Sequence, residues 1–78
     1  MKQEFNDIIL NEELKEWHFF DRQVFIFYHN HRLSMRQIAK SSRISLSVIF
    51  RSLKKSQDKL NEKYNINYQE YRKQINNK

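Results

Sequence analysis

The stretch SMRQIAKSSRISLSVIFRSLKK, Ser34 to Lys55, decides the reading of this chain. Leu33 stands ahead of Ser34 and Ile38 falls at the fourth helical position. In that spacing two apolar side chains close over a helix start while the serine hydroxyl accepts from an exposed backbone amide. Gln37, third in the helix, completes a capping box. Ile44, Ser45 and Ile49 repeat the pattern. Phe20, Asp21 and Phe25 carry it upstream, with a carboxylate cap that also suits the helix dipole. Helix starts are therefore predicted at Asp21, Ser34 and Ser45.

Between the last two helices only Ser41, Ser42, Arg43 and Ile44 are available, too few for a loop with structure of its own and enough for a tight turn. Ala39 is small enough to let the helices cross closely, and Ile38, Ile44, Ile49 and Leu53 fall where they would face each other. Small helical proteins of other kinds also place Ala and Ile in this way. Read together, the features describe a helix-turn-helix, whose usual work is reading duplex DNA. Arg43 occupies the turn position most often given to Gly, and the chain contains neither Gly nor Pro. A non-Gly residue in the left-handed region costs about 1 to 2 kcal/mol, so a turn wider than average is expected.

The chain resembles the helix-turn-helix of sigma-factor region four and of related response-regulator domains. Their pattern runs from an apolar helix through (L)S-x-x-(E/Q)-I-A to I-S-x-x-x-(I/V) and L-K. Here DRQVFIFYHN is followed by LSMRQIA, ISLSVI and LKK, a match over about residues 21–60. It is also similar to short helix-turn-helix proteins of tailed phages, in which an aromatic WH-x-x-DR segment precedes the motif, as Trp17 to Arg22 does. That second likeness is the less specific. The resemblance implies sequence-specific binding of double-stranded DNA by a transcription regulator or sigma-like factor.

On the second helix, with Ile49 and Leu53 turned to the core, Leu46, Ser47, Phe50, Arg51 and Lys54 are left on the opposite and forward faces, where they would read bases. Arg51 suits a bidentate contact to guanine, Ser47 bonds to either partner, and Leu46 or Phe50 suits thymine methyl groups. The plainer reading of Leu46 and Phe50 is packing against another subunit or the N-terminal helix. Ser34, Arg36, Lys40, Arg43, Ser45 and Lys55 are expected on phosphates, which fix register without reading sequence. Neutralising about five phosphates gives a salt slope near −4 to −5. Any one of these cations also reads as an ordinary solvated charge.

Seventy-eight residues make one small domain whose core is limited in size, and six Phe, four Tyr and one Trp compensate in part. The net charge of +6 is unevenly spread. Residues 1–21 set six carboxylates against Lys2 and Lys15, a balance of −4, whereas from Arg22 onward thirteen Lys and Arg oppose Asp58, Glu62 and Glu70, a balance of +10. The positive charge belongs to the motif and its tail. No Cys is present, which removes disulfides and thiolate metal sites. No signal peptide is recognisable and the longest apolar run, Val24 to Tyr28, is far too short to span a bilayer, so a soluble cytoplasmic protein of a bacterium or phage is expected, without a membrane partner.

The expected architecture is an all-α domain of four to five helices in three parts: an acidic segment (1–20), the helix-turn-helix (21–60) and a helical tail (61–78). The acidic segment carries Phe5, Ile8 and Ile9 on one stripe and Leu10, Leu14 and Trp17 on a neighbouring one, which suits core packing or a protein partner. Asn11 offers an alternative break in it. In the tail, Tyr64, Tyr68, Tyr71 and Ile75 form a single stripe that either folds back on the domain or docks on a neighbouring subunit, and Asn65 to Asn67 is a candidate interruption. A homo-oligomer reading adjacent half-sites would gain specificity.

Catalysis has little support: there is no Gly-rich phosphate loop, no nucleophile elbow around the serines and no carboxylate pair in an apolar setting. His29 and His31 lie on different sides of a helix and read as surface residues favourable to its dipole. No cofactor or metal is expected. Two alternatives accompany the regulator reading. One is a small terminase subunit of a tailed phage, which binds packaging-site DNA and assembles into a ring; the other is a protein-binding adaptor of RNA polymerase.

Overall fold

Five helices follow one another in the computed structural model, which describes residues 5–76 and the side chains of 5–74. They are α1 (Asp7–Leu14), α2 (Phe19–His29), α3 (Met35–Ser42), α4 (Leu46–Tyr64) and α5 (Tyr68–Asn76). The described residues contain no strand, so the domain is all-α.

The helix starts are built from local side-chain chemistry. Ser34 forms a reciprocal capping box: the Gln37 amide donates to Ser34 Oγ at 3.1 Å, and the Ser34 amide donates to Gln37 Oε1 at 2.8 Å. Ser45 caps α4 by accepting from the Val48 amide. At α1, Asn6 Oδ1 accepts from the Ile9 amide at 3.0 Å, and Asn11 continues the helix instead of breaking it. The start of α2 differs from expectation. Its cap is His18, whose Nδ1 accepts from the Phe20 amide, and Asp21 falls inside the first turn. There its charge still suits the dipole, but its oxygens are engaged elsewhere.

α3 and α4 end on left-handed residues without glycine. Arg43, after α3, sits at φ 61° and ψ 27°, and Asn65, after α4, at φ 52°. Arg32, between α2 and α3, is a third at φ 57°. Asn tolerates this region better than Arg because its short polar side chain bonds locally. With α3 ending at Ser42 and α4 starting at Leu46, three residues make the turn. It is no wider than the tight turn of the motif. Asn61 and Asn67 shape the α4–α5 corner: Asn61 Oδ1 accepts from the Tyr68 amide at 2.8 Å, and Asn67 Oδ1 accepts from the Glu70 amide.

α2, α3 and α4 pack on one another, and α5 packs on α4. Val24, Phe25 and Tyr28 from α2 meet Ile38 from α3 and Ile49, Leu53 and Leu60 from α4, all buried. Ala39 and Ile44 are half-buried against them. Each fully buried aliphatic or aromatic side chain contributes about 1.5 to 3 kcal/mol. Of the two stripes of the acidic segment, Leu10, Leu14 and Trp17 enter this core, while Ile8 remains 74% exposed.

The tyrosine stripe is turned inward. Tyr68 is fully buried beside Phe25, their ring centroids 5.2 Å apart, and Phe5 packs edge-on to Tyr71 and tilted against Tyr64. Tyr68 therefore offers no surface to a second subunit, and Tyr64 and Tyr71 are largely spent on the domain itself. The Ile75 side chain lies outside the described residues. Burying the aromatic faces within the chain is the nearer solution because the left-handed Asn65 reverses the chain and lays α5 back on α4.

Candidate nucleic-acid interface

α4 is the longest helix and is held in place from three sides. Ile49 and Leu53 turn into the core, and α3 lies against it. The third restraint is Asp21 in the first turn of α2. Ser52 Oγ donates to Asp21 Oδ1 at 2.7 Å, and Lys55 Nζ pairs with Asp21 Oδ2 at 2.7 Å. Burial alone would raise the Asp21 pKa, but the bonds from Lys55 and Ser52 overcome it and hold the carboxyl below its ordinary range. Asp21 is thus a strut between helices.

This leaves one face of α4 open. Leu46, Ser47, Phe50, Arg51 and Lys54 are all exposed, and positions 46, 50 and 54, with 47 and 51 beside them, run along the same side. At the N-terminal end of this face Leu46, Ser47 and Phe50 form a shallow groove with Ser34, Met35 and Arg36 of the α3 start. Met35 is a groove wall that sequence reasoning missed. Its place at the first position of α3, directly after the capping serine, is the signal that would have found it.

The cations expected around this face are not equivalent. Among the described residues Arg36, Lys40, Arg43 and Arg51 have no carboxylate within 4 Å. Lys54 pairs with Asp58 at 3.6 Å in an exposed one-turn arrangement worth a few tenths of a kcal/mol, roughly 0.3 to 0.5. Lys55, expected on phosphate, is committed to the Asp21 strut. The hydroxyls of Ser34 and Ser45, expected on phosphate as well, serve as helix caps while remaining exposed.

Two polar clusters lie away from this face. Glu13 is 4% exposed and accepts from Lys63 and Tyr64 on Oε1, each at 2.7 Å, and from Trp17 Nε1 on Oε2 at 3.0 Å. Burial opposes its ionisation, yet those donors prevail and bring its pKa down to about 2. His29 is not the surface histidine expected from sequence. Its side chain is 7% exposed, Nδ1 lies 2.6 Å from Tyr68 Oη, and Nε2 lies 3.4 Å from Asp7. Burial lowers its pKa, and the neighbouring Asp7 offsets this only in part. Both clusters fasten α1 to the rest of the domain.

Among the described residues no group of three or more His, Cys, Asp or Glu is placed to hold a metal ion, and no helix is long and apolar enough to cross a membrane. No protein-family model, curated protein or solved structure matches the chain.

Proposed function

We propose that this domain binds double-stranded DNA in a sequence-specific manner, using α3 and α4 as a helix-turn-helix with α4 as the recognition helix, in the manner of a transcription regulator or sigma-like factor. One observation carries the reading: the open face of α4, fixed to the core behind it, presents Leu46, Ser47, Phe50 and Arg51, with Arg36 lining the same groove and Arg43 exposed in the preceding turn, both without an ion-pair partner among the described residues. Exposed apolar side chains flanked by unpaired arginines suit the major groove, where base edges and phosphates lie close together. The N-terminal excess of carboxylates, partly consumed by internal pairs at Glu13 and Asp21, keeps α1 away from that partner.

The test is duplex binding by Arg51→Ala, with far-UV circular dichroism as the control for folding. Loss of one bidentate contact to guanine costs about 1 to 3 kcal/mol, which is roughly 5- to 150-fold in affinity. Lys54→Ala is expected to weaken binding by less, because Asp58 already shares the Lys54 charge. Unchanged affinity in both variants sinks the assignment of this face to DNA. Burial of Tyr68 removes one residue of the stripe that suited a ring-forming packaging role. A solution mass of eight or more subunits would support that role.

A further inference from the structure

We infer that the groove between α3 and α4 recognises thymine, taking the C5-methyl groups of a duplex between Met35, Leu46 and Phe50; the inference rests on the duplex-binding reading above. Leu46 and Phe50 are 44% and 50% exposed, and Met35 packs partly into the core beside them. Together they make the apolar part of a groove that Ser34, Arg36 and Ser47 complete. Exposed apolar surface of this kind marks a contact site.

Charge selects the occupant. Arg36 forms part of the groove wall, and Arg43 in the turn and Arg51 on α4 are further exposed cations outside the groove lining; none of the three has a carboxylate within 4 Å among the described residues. A second copy docked face to face would bring these cations against their own kind. An uncharged apolar peptide would leave them without partners. A polyanion that also presents apolar groups satisfies both features, and in the major groove the only apolar base substituent is the thymine methyl.

Hydrogen-bonding readers on this face are few. Lys55 is held by Asp21, Lys54 leans on Asp58 and the Ser47 hydroxyl lies 3.3 Å from that of Ser45, which leaves Arg51, among the described residues, as the donor on this face without a side-chain partner. Discrimination by α4 then depends on methyl burial more than on donor and acceptor matching. The site is accordingly expected to contain thymines next to the base pair read by Arg51.

The experiment uses the full chain and duplexes selected by it from a random pool, each selected thymine being replaced singly by deoxyuridine, which lacks only the methyl. Fluorescence anisotropy at fixed salt reads the affinity. Each contacted methyl should be worth about fourfold, the value of one buried methylene. Phe50→Ala and Leu46→Ala, checked for folding by circular dichroism, should bind thymine and deoxyuridine versions more nearly alike. Duplex binding that is indifferent to deoxyuridine at every position overturns the inference and leaves the duplex reading standing. A deoxyuridine effect that persists undiminished in both variants also overturns it. Absence of duplex binding at any salt removes both.

Discussion

Replacing Glu13 by Gln would remove one negative charge from the junction where α1 meets the end of α4, with almost no change of volume. The carboxylate accepts from three donors, Trp17, Lys63 and Tyr64. A Gln side chain offers a single acceptor oxygen, so its amide must face a donor on one side. The magnitude follows from the proton equilibrium. A carboxyl moved from 4.5 to about 2 has its ionised form favoured by about 3 kcal/mol in the folded state. Lys63 is half exposed, and screening of its share reduces this to about 2 kcal/mol. A domain of this length has a total stability of roughly 4 to 12 kcal/mol, so the loss is a substantial fraction. Because the folded-state pKa is depressed, the contribution is complete above pH 4.5 and disappears as pH falls through about 2. Urea unfolding, followed by Trp17 fluorescence and far-UV circular dichroism, should show Glu13→Gln about 2 kcal/mol less stable at pH 7, a fall in Tm of roughly 8 to 16 °C. The gap between the two proteins should close as pH approaches 2. Equal stability at pH 7, or a gap that does not change with pH, would refute the reasoning.

Arg43→Gly should raise stability by about 0.5 to 1 kcal/mol, since relief of left-handed strain exceeds the added freedom of the unfolded chain; thermal melts measure it, and a lower Tm would mean that the Arg43 side chain supports the turn. His29 has a folded-state pKa below its ordinary 6.5, so the unfolded chain takes up protons first on acidification. Stability should fall as pH drops through 6.5, and His29→Gln should lose that part of the pH dependence; an identical profile in the variant would contradict the burial argument. Ser34→Ala removes the capping acceptor of α3 and should cost about 1 kcal/mol in chemical denaturation, with no cost if the capping box has no weight.

What could be read in advance was what depends on neighbours in sequence. The Ser34–Gln37 box, the Ser45 cap, the left-handed Arg43 and the inward positions of Ile38, Ile49 and Leu53 involve residues within a turn or two of each other. The start of α2 shows the limit of such patterns: His18 and Asp21 are three residues apart, both can accept from helix amides, and the bonds that decide between them reach Ser52 and Lys55 on α4. Glu13 and His29 were illegible for the same reason. Their partners Lys63, Tyr64 and Tyr68 lie dozens of residues along the chain, so nothing local marks Glu13 as buried or distinguishes His29 from a surface histidine at a helix end. The open face of α4 was legible because a helical period fixes it once the core positions are known. The groove it forms with Met35 required knowledge of how the start of α3 meets α4.

Duplex binding itself is tested most directly by titrating a labelled duplex with the protein over a range of salt concentrations. If Arg36, Lys40 and Arg43, unpaired among the described residues, each neutralise a phosphate while Arg51 reads a base, log affinity should fall linearly with log salt at a slope of about −3. A slope near zero, or no binding at the lowest salt, would contradict the account.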